Sequence, residues 1–96
     1  MGFKVLIGPE AYQDIQHGID WYDQQRENLG YKFYEEVENT LNLVKSNPYF
    51  QVRYGRVRCI PLKRFPYMVH FTIDESDQTI SIQSILHTSR EHKVLE

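Results

Sequence analysis

Five cations, Arg53, Arg56, Arg58, Lys63 and Arg64, fall within residues 51–72, a stretch that holds no carboxylate. His87 and Arg90 follow in "LHTSRE". Arg, Lys and His converging on one surface are what phosphodiester chemistry asks for. Guanidinium and ammonium groups neutralise phosphate, and an imidazole transfers a proton near neutral pH. An RNA substrate carries its own 2′-hydroxyl nucleophile, so no Ser or Cys nucleophile is required. The same cations have a second reading, since Arg and Lys on sheet edges oppose aggregation.

The block stands out because the chain around it is acidic. Residues 1–50 hold eight carboxylates against four Lys or Arg, and residues 73–96 hold five against two. A local positive block on a chain of net charge −2 describes a directed surface rather than a general polyanion binder. The 96 residues suffice for one domain, expected over 1–96. A hydrophobic content of 41% with 25% charged residues is that of a folded chain, which argues against disorder. No apolar run is long enough to span a membrane, and the N-terminus "MGFKVLIGPE" reads as a first strand rather than a signal peptide, so a cytoplasmic location is expected. Cys59 is the sole cysteine, which excludes an internal disulfide and a two-thiolate zinc site. With no His/Cys/Asp cluster at ligand spacing and no Gly-rich phosphate loop, neither a metal nor a cofactor is expected.

The elements that must position the basic block follow from hydrophobic spacing. Phe3, Val5 and Ile7 alternate as in a short strand. Gly8-Pro9-Glu10 opens a helix, with Pro at its first position and an acid in its first turn. Ala11, Ile15, Gly18, Ile19 and Tyr22 form its apolar stripe, and Leu29-Gly30 is the expected stop. A second helix is expected over 31–45, with Phe33, Val37, Leu41 and Val44 inward and Ser46-Asn47-Pro48 ending it. Such a short break implies an antiparallel helical hairpin. Strands are expected at 57–62, 67–73 and 79–87, with "DESDQ" as the turn between the last two and Pro61 marking an edge or a strand end. The order β-α-α-β-β-β, with one apolar stripe per helix, is a two-layer α+β domain in which the hairpin packs on an antiparallel sheet. A tight last hairpin would set residues near 66 opposite residues near 87, bringing Lys63 and Arg64 to the same sheet end as His87 and Arg90.

Other residues have plainer readings. His70 is a packed or half-exposed strand residue, His17 and His92 are surface histidines, and Cys59 is a small core residue. The aromatics of "IDWYDQQ" pack the helices.

Taken together, "AYQDIQHGIDWYDQQRENLGYKFYEEVENTLNLVKSNP", "VRCIPLKRFPYMVHFTID" and "ISIQSILHTSRE" resemble the RelE/ParE superfamily of bacterial type II toxins over almost the whole chain. The resemblance implies the β-α-α-β-β-β fold, plasmid stabilisation and growth inhibition as biological roles, and a cognate antitoxin in a toxin–antitoxin hetero-oligomer. One branch of the superfamily cleaves mRNA on the ribosome. By motif position, Arg90 matches that branch's C-terminal arginine, with His87 as the acid and Arg53, Arg56, Arg58, Lys63 and Arg64 as phosphate or partner contacts. The chain departs from that branch at Tyr67, where an arginine is frequent, and in lacking a terminal tyrosine. The other branch inhibits DNA gyrase by binding, and needs no acid–base set. The gyrase-binding class is therefore the expectation, with ribosome-dependent mRNA cleavage as the alternative.

Overall fold

The computed structural model describes residues 3–50 and 52–88. Strand β1 (Lys4–Ile7) leads into helices α1 (Pro9–Gln25) and α2 (Leu29–Ser46). Four strands follow: β2 (Val52–Tyr54), β3 (Val57–Pro61), β4 (Tyr67–Asp74) and β5 (Thr79–His87). They form one sheet in the order β1-β5-β4-β3-β2, with both helices on one face. The fold class is the expected α+β hairpin-on-sheet arrangement.

Strands β3 to β5 pair antiparallel, as the sequence indicates, but an additional strand, β2, pairs antiparallel with β3 and β1 runs parallel to β5. The short strand β2 accounts for this. The helical hairpin returns the chain to the end where β1 finished, and β2 adds one further reversal before β3. That extra reversal turns β5 into the direction of β1. Its three residues, Val52–Tyr54, carry too little pattern to announce a strand.

The helices also divide differently from the expectation. Leu29 and Gly30 do not stop α1. It ends at Gln25, and Asn28 makes the break in the left-handed region at φ 70°. Asn tolerates that conformation better than most residues. Gly30 instead sits inside α2, where a Cβ would press on the Ile19 carbonyl and the Asp23 carboxylate. The Gly30 N–H donates to that carboxylate at 2.9 Å, which ties the start of α2 to the end of α1.

Gly18 is the closest approach of the hairpin. A Cβ there would collide with Cε2 and Cζ of Phe33, so the ring lies directly against the α1 backbone. Phe33 is fully buried among Tyr22, Phe65 and Tyr67, with ring centroids 5.4, 5.3 and 5.0 Å away. Beneath the helices, Ile60, Val69, Phe71, Ile80, Ile82 and Ile85 complete the core. The inward residues of β5 skip from Ile82 to Ile85 because Phe71 pairs with Ile82 while His70 pairs with Ser84. Gln83 is the extra residue of a bulge, which resets the side-chain alternation and delivers Ile85 to the core.

The turn expected at "DESDQ" is present. The Asp74 carboxylate accepts from the Ser76 hydroxyl and from the Ser76 and Asp77 N–H groups. These bonds, chiefly those from the Ser76 hydroxyl and the Asp77 N–H, hold its pKa below the usual carboxylate value. On the other flank, β1 covers β5 only as far as Ile82. Past that point the Ile85 N–H donates to the Asp14 carboxylate of α1 at 2.9 Å. Burial raises the Asp14 pKa above its ordinary 3.8, and Glu10 adds to the rise, while the Ile85 N–H and His17 oppose it.

Two substitutions test this packing. In Gly18→Ala, overpacking of about 1–3 kcal/mol opposes the ~1 kcal/mol that Ala gains over Gly in a helix. The enclosed ring cannot retreat, so denaturant unfolding will show a net loss of stability. Combined with Phe33→Leu, which removes the collision, the pair will cost less than the sum of the single changes. Asp14 supplies the second test. Its raised pKa means that the folded chain holds the proton more tightly than the unfolded chain. Stability due to this group therefore falls as pH rises from about 3.8 through the raised value. Asp14→Asn keeps an acceptor for the Ile85 N–H without the charge. Its stability relative to wild type will improve as pH rises through that window, in unfolding curves taken from pH 3 to 7, whereas Asp14→Ala will be destabilised throughout.

Candidate functional site

The basic residues do not gather at one point. Arg58 precedes Lys63 by five positions across the length of β3, a separation of roughly 16 Å at strand rise, so the block divides between the two ends of that strand. At the first end, the Arg58 Nη1 donates to the Phe50 carbonyl at 2.6 Å, and its guanidinium lies 5.7 Å from the centre of the Tyr49 ring. Arg58 is thus half-buried and committed to holding the segment between α2 and β2. Arg56 is exposed beside it, and Glu75 shares their recess, which lessens the local positive charge. Arg53 lies in β2, the outermost strand.

At the other end, the corner between β3 and β4 is fastened to α2. The Glu36 carboxylate accepts the N–H groups of Lys63 at 2.7 Å and Arg64 at 3.2 Å. Successive backbone N–H groups aimed at one point make a small anion-binding concavity, and here the chain fills it with its own carboxylate. The side chains of Lys63 and Arg64 remain exposed. They border a groove of about 810 Å³ along α2, which Lys32, Leu43 and Phe65 also line.

His87 occupies the predicted sheet end. Tyr67 pairs with His87 across β4 and β5, and the Thr88 N–H donates to the Pro66 carbonyl at 2.8 Å, so the sequence-derived register holds. The His87 ring stands edge-on to Tyr67 with centroids 5.1 Å apart. It lines a cleft of about 360 Å³ with Asp14, His17 and Trp21, the last of these 50% exposed. Lys63 and Arg64 border the α2 groove rather than this cleft. The register therefore brings the corner to the end of the sheet that holds His87, but Glu36 ties its main chain toward α2. Arg90, the other expected member of the pair, lies outside the described residues, as does His92.

Two features of the site have weak signals in the sequence. Glu36 reads as one of three outward acids on α2, and nothing in its spacing reveals that its partner lies in the β3–β4 corner. Asp14 is likewise a polar residue on a helix flank, and its partner is a backbone N–H, which the sequence does not label. Of the two placements open to His70 the structure shows the packed one, at 3% exposure, with its Nδ1 3.4 Å from the Cys59 Sγ and 3.3 Å from the Tyr54 hydroxyl. Among the described residues no group of His, Cys, Asp and Glu could hold a metal ion, and no helix is long and apolar enough to cross a membrane.

The fold has counterparts among solved structures. The chain is similar to a protein of the chromosomal ParDE toxin–antitoxin system from P. aeruginosa, with a TM-score of 0.78 at 17% identity over 88% of this chain and 95% of that one. It is similar to a chain of the archaeal RelE–RelB complex from Pyrococcus horikoshii OT3, with a TM-score of 0.61 at 13% identity over 94% and 99% of the two chains. The isolated E. coli RelE toxin gives 0.62 at 12% identity over 98% and 99%. At such identities the likeness is one of fold. A sequence search of curated proteins finds no match. The family model described as ParE toxin of type II toxin-antitoxin system, parDE, matches residues 5–92, and the chain therefore belongs to the ParE toxin family.

Proposed function

We propose that this chain is a cytoplasmic growth inhibitor that acts by binding DNA gyrase, and that a cognate antitoxin silences it in a toxin–antitoxin hetero-oligomer. The observation that carries this reading is the match to the ParE toxin family model over residues 5–92, and the division of the basic block between the two ends of β3 accords with it. Among the described residues, Arg58 is bonded to the Phe50 carbonyl, Lys63 and Arg64 border a groove on α2, and His87 lies in a separate cleft against Tyr67. Phosphodiester cleavage needs charge stabilisation and proton transfer at one phosphate. Binding needs only a stable surface, and cations spread over the sheet ends suit contact with an extended protein partner. The family match and the likeness to chains of ParDE and RelE–RelB support the antitoxin. Plasmid stabilisation is the biological setting that follows from such a pair.

The second reading, ribosome-dependent mRNA cleavage, would draw on His87 in its cleft and on Arg90. One experiment separates the two. The chain is induced briefly without its antitoxin, and a well-translated transcript is mapped by primer extension while the purified protein is added to a gyrase supercoiling assay. We expect arrested growth, intact transcripts and a dose-dependent loss of supercoiling. Cuts at codon boundaries that vanish in Arg90→Ala and His87→Ala, with supercoiling unaffected, would overturn the gyrase reading in favour of the ribonuclease.

A further inference from the structure

We propose that the free edge of β1 pairs with β1 of a second copy of this chain, antiparallel and centred on Val5, so that the two sheets become one. Such self-association is independent of the cellular target.

The backbone sets the register. Strand β1 is the outermost on its side of the sheet, and only β5 pairs with it. The Lys4 N–H donates to the Gln78 carbonyl at 2.8 Å, and the Gly8 N–H donates to the Ile82 carbonyl at 2.9 Å. Residues that bond a neighbouring strand in this way alternate with residues whose N–H and C=O face away from it. Phe3, Val5 and Ile7 therefore turn these groups outward, where no backbone bond among the described residues reaches them. An edge that pairs with itself about a two-fold axis must do so antiparallel. With the axis at Val5, the two Val5 residues face each other, and Phe3 faces Ile7 of the other copy. Facing residues of such pairs exchange both backbone bonds, so every outward group from 3 to 7 is satisfied. Pro9, which has no N–H, closes the edge where α1 begins. The opposite edge of the sheet offers less, since β2 has three residues and an irregular register.

The side chains favour a second copy over an unrelated strand. On the helix face, Phe3, Val5 and Ile7 are only partly buried against the core, and this register sets each beside an apolar neighbour. On the other face Leu6 is 52% exposed, and Lys4 of the other copy comes to lie directly opposite it. Leu6 borders a recess that Pro9, Glu10 and Ile82 also line. The aliphatic stem of the incoming lysine covers that apolar surface, and Glu10 supplies the countercharge for its ammonium group. A lysine on an edge strand ordinarily guards against pairing. Here it meets Leu6 rather than a second lysine, so the guard becomes a contact. Edges this short bury less than about 1,200 Å² in all, which fits a reversible dimer.

Sedimentation of the full chain from about 1 μM to about 1 mM is the test. The expected result is a mass that rises from one copy to two across that range. Val5→Pro deletes the central outward N–H and none that bonds β5, so it should weaken dimerisation by about tenfold or more. Leu6→Lys sets like charges directly opposite each other and should do the same. Leu6→Glu faces Lys4 instead, and should dimerise about tenfold better than Leu6→Lys. Tyr31→Ser, at an exposed position of α2, should stay within about twofold of wild type. Thermal midpoints check that each variant folds. Mild oxidation reads the register. Val5→Cys should cross-link two copies, because facing residues of a hydrogen-bonded pair lie about 5.5 Å apart. Leu6→Cys should not, its two copies lying about 7–8 Å apart on the diagonal. Cys59 is buried and does not compete. A chain that stays single up to about 1 mM overturns the inference. So does a dimer that Val5→Pro and Leu6→Lys leave within about twofold, or one that cross-links through Leu6→Cys and not through Val5→Cys.

Discussion

The contact of Phe33 with the bare backbone of Gly18 sets the spacing of the helical hairpin, and the sheet end is built around it. Phe33 enters the gap that a missing Cβ leaves, and Tyr22, Phe65 and Tyr67 close around its ring. That cluster fixes the hairpin relative to the β3–β4 corner and the adjoining start of β4. Tyr67 then touches His87 at the end of β5, so the geometry of the His87 cleft is inherited from the helix spacing. A domain this small buries a modest fraction of its surface, and a few large aromatic side chains carry a correspondingly large share of the stability.

Much of this was legible because it rests on short-range periodicity. Of the two predicted stripes, Ala11, Ile15, Gly18, Phe33, Val37 and Val44 are buried, and Ile19, Tyr22 and Leu41 are partly buried against them. The register of the last hairpin followed from the turn, and Tyr67 does face His87. What escaped was of a different kind. Strand β2 has three residues and an irregular register, so no period can be counted in it. The bulge at Gln83 does leave a trace, since Ile80, Ile82 and Ile85 break the alternation that a regular strand would keep. That trace implies an extra residue but does not say which way the following side chains turn. Leu29-Gly30 was the expected helix stop, but the left-handed Asn28 makes the break and Gly30 is required for close packing instead.

The candidate site was legible in composition and not in arrangement. A cluster of cations along the sequence need not be a cluster in space when a strand lies in its middle. Because β3 separates Arg58 from Lys63, each half of the block has its own neighbours, Phe50, Tyr49 and Glu75 for one and Glu36 for the other. Spacing alone cannot report such pairings, since each joins residues from different elements through a carbonyl, a ring or an N–H group that carries no sequence signal.

Two of the eight carboxylates in the first fifty residues have structural partners in the sheet. Asp14 from α1 takes the Ile85 N–H where β1 leaves the edge of β5 uncovered, and Glu36 from α2 takes the two N–H groups of the corner. Asp14 substitutes for a missing strand carbonyl, Glu36 satisfies two N–H groups of a turn, and both fasten the helix layer to the sheet. Part of the acidity of the first fifty residues is therefore structural. An acceptor that satisfies an edge N–H also removes it as a template for strand addition. The two N–H groups of the corner are engaged in this way while the side chains of Lys63 and Arg64 stay in solvent.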